Sequence, residues 1–360
     1  MERELPKPRR VVVKVGSTSL TGARGRLDDD QVRALAGELA AVRRKGIDVV
    51  LVSSGAIAAG LDPLGFGKRP VDIPSLQAAA SVGQGILMHA YQRAFARRRI
   101  QVGQVLLTAD DFVRRRGYLN AHAALQRLLS LGALPIVNEN DTVAIDEIRF
   151  GDNDRLAALV AVMIHADLLV LLSDVDGIYS ADPRRQRATL LHEIDDVASL
   201  DGLKGKSSLG SGGVESKIEA MRIAASAGTG VVIANAREPR VLQRVIAGER
   251  IGSYARAHRA RGRSRKLWIE HAGAARGHIL VDAGARDALT DRGKSLLPAG
   301  IIGVRGVFAI GDAVEVCGPD DAVFAKGITN YDSDEVARLQ GKPLANGARE
   351  VIHRDSLVIL

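Results

Sequence analysis

From Val11 to Ala247 the chain repeats one pattern, a short run of β-branched and aliphatic residues followed by a stretch with apolar residues at helical spacing. Strand followed by helix, many times over, is the form of a mostly parallel open sheet sandwiched by helices, an α/β architecture. The run VVVKV over 11–15 opens the series. Asp28, Asp29 and Asp30 precede a helix with the apolar stripe Val32, Leu35, Leu39 and Val42, and Gly46 is placed to end it. A strand over 47–52 follows. The spacing then predicts a helix over 75–97, a strand over 102–107, a helix over 119–131 and a strand over 134–137. The rhythm continues with a helix over 154–165, a strand over 168–172, a helix over 213–228, a strand over 231–234 and a last helix near 239–247.

At 360 residues the chain is longer than one hydrophobic core usually organises. Residues 256–266 read RAHRARGRSRK, six basic residues in eleven with no apolar period. This is a solvated linker, with nucleic-acid contact as the alternative. Beyond it, short β-rich runs over 279–282, 301–307 and 313–317, with one helix near 285–292, predict a small mixed β-barrel. The expected organisation is a catalytic domain over 1–255, the linker, and a second domain with its tail over 267–360. The formal charge of +8 permits nucleic-acid binding and equally suits an enzyme for anionic substrates. No run approaches the ~20 apolar residues of a membrane span, and the amino terminus lacks the apolar region of a signal peptide, so a soluble cytoplasmic protein is expected. The single cysteine, Cys317, excludes an intramolecular disulfide and any multi-cysteine metal site, and its apolar surroundings suggest packing.

Several element ends carry more polar residues than capping requires. In VVVKVGSTSL, Lys14 closes a strand of valines and is followed by Gly16 and small hydroxyl residues. Such a turn offers backbone N–H groups to a phosphate, and the lysine adds a full charge; the alternative is an exposed lysine on an edge strand. LVSSGAIAAG repeats the design with Ser53, Ser54 and Gly55, where a bound carboxylate and simple serine capping both fit. PIVNENDTVA ends a strand in Asn138, Glu139, Asn140 and Asp141, and GDNDRLAALV starts a helix with Asp152, Asn153 and Asp154. Two such clusters could hold a substrate amino group and orient lysines.

LLVLLSDVDGIY ends in Ser173 and Asp174, a usual place for nucleotide contact at the carboxyl edge of an open sheet. Its D-x-D-G lacks the downstream glutamate of a calcium loop. LGSGGVESK runs through Gly210, Ser211, Gly212 and Gly213 into a helix with Lys217 in its first turn. Glu215 stands where a dinucleotide loop needs its third glycine, and P-loop spacing is absent; Gly293-Lys294-Ser295 has Ala288 where a P-loop begins with glycine. Two lysines, glycine turns and acidic clusters at strand ends describe phosphoryl transfer without a P-loop, a chemistry of positioning and charge neutralisation. No nucleophilic triad and no metal-ligand set is read.

VVVKVGS, VSSGAIAAG, VNENDTVA, GDND, LLSDVDGIY with the following ADPR, and GSGGVESK, in this order, resemble the glutamate 5-kinases of the amino acid kinase family rather than aspartokinases, carbamate kinases or acetylglutamate kinases. The resemblance implies ATP-dependent phosphorylation, with Mg²⁺, of the L-glutamate γ-carboxylate to L-glutamyl 5-phosphate, the first step of proline biosynthesis. It implies that Lys14 and Lys217 contact the transferring phosphoryl group, that Asp154 organises the lysines, and that Ser54, Asp141 and Asn153 bind glutamate. ATP would be held by Ser173, Asp174 and the loop Ser211, Gly212, Gly213, Val214, Glu215, Ser216 and Lys217. The chain departs from the family at Val214 and Glu215, where a methionine and a small hydroxyl residue are usual; a carboxylate at 215 repels phosphate unless it points away. From Trp268 to Lys342 the chain resembles a PUA domain, a module common in RNA-modifying enzymes, so the competing reading is an RNA-binding protein. The resemblance further implies a homo-oligomer, feedback inhibition by proline, and handoff of the labile product to a reductase, glutamate-5-semialdehyde dehydrogenase.

Overall fold

A computed structural model describes residues 3, 5, 7–22, 26–113, 115–143, 153–181, 188–203, 213–257, 275–344 and 349–360. The chain divides into two compact units, residues 1–108 with 121–261, and residues 109–120 with 262–360. Most of the basic stretch 256–266 lies outside the described residues.

The first unit is built on an eight-stranded sheet in the order β3-β4-β2-β1-β5-β7-β8-β6. Its strands are β1 (Arg10–Val15), β2 (Asp48–Ser53), β3 (Val102–Leu107), β4 (Leu134–Glu139), β5 (Leu168–Ser173), β6 (Glu193–Ile194), β7 (Gly230–Asn235) and β8 (Ser253–Ala255). The six long strands are parallel, and β8 joins β7 antiparallel. The chain starts at the centre of the sheet, moves to one edge, then crosses back to place β5 on the other side of β1. Ligands in open α/β sheets sit outside the carboxyl ends of strands at such a reversal.

Strand periodicity decides which side chains meet which helices. Val11, Val13 and Val15 of β1 pack in one core with α1 (Asp29–Arg43), α3 (Ile73–Ala96) and α8 (Val241–Ile246). The intervening residues, Lys14 among them, face the other layer, where α6 (Asn153–Met163) crosses β1 beside α7 (Val214–Ser226). Because both faces are covered, the central strands read as continuous apolar runs. The aspartate triplet does what its position implies, since the Asp28 carboxylate accepts from the N–H groups of Asp30 and Gln31 and Val32, Leu35, Leu39 and Val42 are buried.

Two short elements lie near the site. Gly16 leads into a 3₁₀ turn (Ser17–Ser19) rather than directly into α1, and α2 (Ala56–Leu61) occupies only six residues. α2 lies against α3 with no side chain between them: a Cβ at Gly60 would collide with the Ala79 carbonyl, and one at Gly83 with the Ala56 carbonyl. Between β3 and β4 the chain forms α4 (Ala109–Val113) and α5 (Arg115–Ser130), where a single helix over 119–131 is expected.

The second unit carries a five-stranded mixed sheet in the order β10-β9-β11-β12-β13, from β9 (Gly277–Val281), β10 (Ile301–Gly306), β11 (Ala313–Cys317), β12 (Val323–Thr329) and β13 (Ile352–Ile359). Its own core includes Ile279, Val281, Val314, Val316, Ala325 and Leu357. Asp282 caps α9 (Ala283–Thr290), and Asp332 with Glu335 forms a capping box on α10 (Ser333–Leu339). Cys317 is buried, in keeping with packing. Among the described residues no helix is long and apolar enough to cross a membrane.

Candidate active site

Lys14 lies in the central strand, paired with Val52 of β2 and Leu171 of β5, and only 6% of it is exposed. An edge position is therefore excluded. A buried ammonium needs a counter-charge. Asp154, fully buried in the first turn of α6, supplies it: Oδ1 is 2.5 Å from Lys14 Nζ. Its other oxygen accepts from Lys217 Nζ at 2.9 Å, and Lys217 is as buried as Lys14. Burial raises the Asp154 pKa, but the two ammonium groups outweigh it and hold the carboxyl below the usual range. The two ammonium groups and the carboxylate meet at the carboxyl end of β1, beside the start of α7, where Gly213 is the extended N-cap.

The Ser53-Ser54-Gly55 turn joins this triad through Asn153. Gly55 takes φ 106° at the head of α2, a conformation that favours glycine. Asn153 Nδ2 donates to the Ser53 carbonyl (2.9 Å), to Ser54 Oγ (3.0 Å) and to Asn138 Oδ1 (2.8 Å). Asn138 Nδ2 in turn donates to Gln84 Oε1 at 2.7 Å. Behind the turn, Ser53 Oγ lies 2.8 Å from the hydroxyl of Tyr91, whose pKa burial pushes up. Asp141 follows β4, and desolvation, only partly countered by Arg69, raises its carboxyl to about 6.

On the other side of β1, Ser173 closes β5, and its hydroxyl donates to Asp174 Oδ1 at 3.2 Å. Asp176 accepts from Asn235 Nδ2 (2.9 Å) at the end of β7 and from the Tyr179 hydroxyl (3.0 Å). Val175 is 40% exposed, so this corner opens to solvent. Ser216 Oγ donates to the Gly213 carbonyl at 2.9 Å, and Glu215 is exposed while Lys217 turns inward. Ser211 and Gly212 lie outside the described residues, as does Asp152.

The structure thus brings Lys14, Asp154 and Lys217 into contact, ties Asn153 to Ser54, and pairs Ser173 with Asp174. Sequence reading missed Gln84 and Tyr91. The signal for Gln84 was a polar stripe of Gln77, Ser81 and Gln84 in the mostly apolar first half of α3. An open hollow of about 510 Å³ does not coincide with this site; it lies at the amino edge of the sheet and is lined by Arg9, Arg10, Asp48, His165, Asp167 and Thr229. Arg10 there donates to the Ile164 carbonyl and Asp48, and Asp167 accepts from the N–H groups of Arg9 and Arg10, so these groups pair with one another.

A model described as the amino acid kinase family matches residues 9–235, which contain the whole triad. The chain belongs to the amino acid kinase family. A second model, the PUA domain, matches residues 277–350 of this kinase. The glutamate 5-kinase of Streptomyces coelicolor is 52% identical over 364 residues, spanning 98% of this chain and 96% of that protein. The glutamate 5-kinase of Salinispora arenicola is 48% identical over the full length of both chains. The crystal structure of UMP kinase from Bacillus anthracis matches with a TM-score of 0.51 at 17% identity, covering 70% of this chain and 97% of that one. That likeness is one of fold. Membership of an amino acid kinase family carries the use of ATP with it.

Proposed function

We propose that this kinase transfers the γ-phosphoryl group of MgATP to the side-chain carboxylate of L-glutamate, giving L-glutamyl 5-phosphate, the first step of proline biosynthesis. The observation that carries the transfer is the buried triad, in which Asp154 holds Lys14 and Lys217 side by side at the carboxyl end of the central strand. The choice of glutamate is supported by two relatives of that name at about half identity over nearly the whole chain.

A γ-carboxylate oxygen forms a bond to the γ-phosphorus as the bond to the β,γ-bridging oxygen breaks and ADP leaves. Lys14, Lys217 and N–H groups at the start of α7 stabilise charge on the phosphoryl oxygens. No general base is required, because a carboxylate with pKa near ~4.3 is already ionised at neutral pH. Asp154, saturated by two ammonium groups, is an organiser rather than a proton acceptor. The Mg²⁺ enters as part of the MgATP substrate. The Ser54 hydroxyl, which accepts from Asn153 and so has its own proton to give, donates to the γ-carboxylate, and Asp141 receives the substrate ammonium. Ser173, Asp174 and the segment Ser211 to Lys217 hold the nucleotide, with Glu215 turned to solvent.

The same reading includes a cytoplasmic homo-oligomer, inhibited by proline, that passes its product to glutamate-5-semialdehyde dehydrogenase. The test is glutamate-dependent ADP release with hydroxylamine trapping of the acyl phosphate, run beside aspartate and acetylglutamate. Trapped product from glutamate alone supports the reading; equal or better turnover of another acceptor overturns it. The PUA match supports a second reading, RNA contact by the second unit, which requires salt-sensitive, structure-selective RNA binding.

A further inference from the structure

The direction of the amide chain beside the triad is fixed at one end. Asn153 Nδ2 donates to the backbone carbonyl of Ser53, which can only accept, so the orientation of the Asn153 amide is determined. The same nitrogen donates to Asn138 Oδ1, which compels Asn138 to present its own NH₂ to the next group. That group is Gln84, which must accept through Oε1 and therefore turn Nε2 away from the chain. Reversing Gln84 would set two NH₂ groups against each other. Among the described residues, Gln84 Nε2 is buried and has no acceptor. A buried donor without a partner is unfavourable by about 1–3 kcal/mol, and such groups in native structures call for an explanation.

Its surroundings say what it awaits. Gln84 and Ser81 share a face of α3, and Ser81 Oγ lies 3.1 Å from Thr142 Oγ1, so this face looks onto the loop that carries Asp141. The donor therefore lies two amides from Asn153 and on the Asp141 side of the pocket. We propose that Gln84 is a substrate-binding residue whose Nε2 donates to the α-carboxylate of the amino acid substrate, with Asn138 as the positioning residue that aims it. This rests on the reading of the site as a glutamate kinase. The γ-carboxylate occupies the lysine end, the ammonium faces Asp141, and the α-carboxylate completes the buried amide. The arrangement selects an acceptor with a free α-carboxylate, since an α-carboxamide would place a second NH₂ or a weaker acceptor there.

The test compares full-length wild type with Gln84→Glu and Gln84→Met, using hydroxylamine trapping with glutamate and with isoglutamine, its α-amide, whose γ-carboxylate is unchanged. Wild type should prefer glutamate by roughly 10–100-fold in kcat/KM, the range of a hydrogen bond to a charged group. Gln84→Glu should cancel or invert that preference, because the new oxygen repels a carboxylate and accepts from a carboxamide. Gln84→Met should flatten it. A loosened pocket alone would weaken both acceptors alike and leave the ratio unmoved. The proposal is overturned by a wild type that does not discriminate, or by an unchanged ratio in either variant; if the glutamate variant does not fold, the methionine variant decides. A wild type inactive on both acceptors overturns the kinase reading itself, whereas an active wild type with unmoved ratios overturns only the role of Gln84.

Discussion

Two ammonium groups share one carboxylate at the head of α6, and this sets how each partner responds to removal. Asp154→Asn leaves two buried cations facing an amide, and breaking a buried ion pair costs about 3–5 kcal/mol. The expected result is a lowered Tm that MgATP restores more strongly than it stabilises the wild type, because phosphate replaces the lost anion; an unaltered Tm would contradict the organising role. Lys217→Ala should lower kcat by about 10²-fold or more with the far-ultraviolet spectrum unchanged. Since the Asp154 pKa is depressed, the stability it contributes is present above the ordinary carboxylate range and is lost only as pH falls through its lower folded value. Asp141 behaves oppositely. Its pKa is raised to about 6, so its contribution is present below the unfolded value and is lost as pH rises through 6, when the carboxylate ionises in place. If that anion receives the substrate ammonium, KM for glutamate should fall as pH rises through 6, and Asp141→Asn should abolish this limb of the profile. At this scale the sequence announced Lys14 and Lys217, because charge inside an apolar strand or after a glycine loop is conspicuous. It did not announce Gln84 or Tyr91, whose partners on β4 and β2 become neighbours only when the sheet forms.

Among the elements, the α2–α3 contact is the most exacting. Gly60 and Gly83 allow backbone to meet backbone directly behind the Ser53-Ser54-Gly55 turn. Gly83→Ala must push α2 away, a form of overpacking that costs roughly 1–3 kcal/mol, and α2 carries Ser54 with it. The denaturant midpoint should drop and KM for the acceptor should rise; an alanine tolerated on both measures would show that the helices have room to part. Element positions were largely legible. The helix expected over 75–97 is Ile73–Ala96, and the strand expected over 168–172 is Leu168–Ser173. Misses fall where periodicity has too little length to register, as in β6 and β8 with two and three residues. α10 was also missed, although its Asp332-x-x-Glu335 box was present as a signal. α5 begins earlier than expected, at Arg115, and arginine is a good helix former.

Over the whole molecule, each unit has its own apolar core, one around β1 and the other around β9 and β11. Calorimetry should resolve two transitions, and MgATP should raise only the one that belongs to the nucleotide-binding unit. A single transition moved as a whole by nucleotide would contradict this. The parallel sheet was legible from its repeating pattern. The grouping of residues 109–120 with 262–360 was not, because nothing local marks it. The central position of β1 also bears on how the protein is made. Lys14 is synthesised at the very start of the catalytic unit, Asp154 much later and Lys217 last. At about 5–20 residues per second, roughly 10–40 s separate the two lysines on the ribosome. For most of that interval, until Asp154 and then β5 are made, the nascent chain holds a strand of valines that lacks one flanking strand, with an ammonium at its end that lacks its carboxylate partner. The unit has no early half-site to build upon, and its completion waits for β5 and α7 to dock with β1, made well before either.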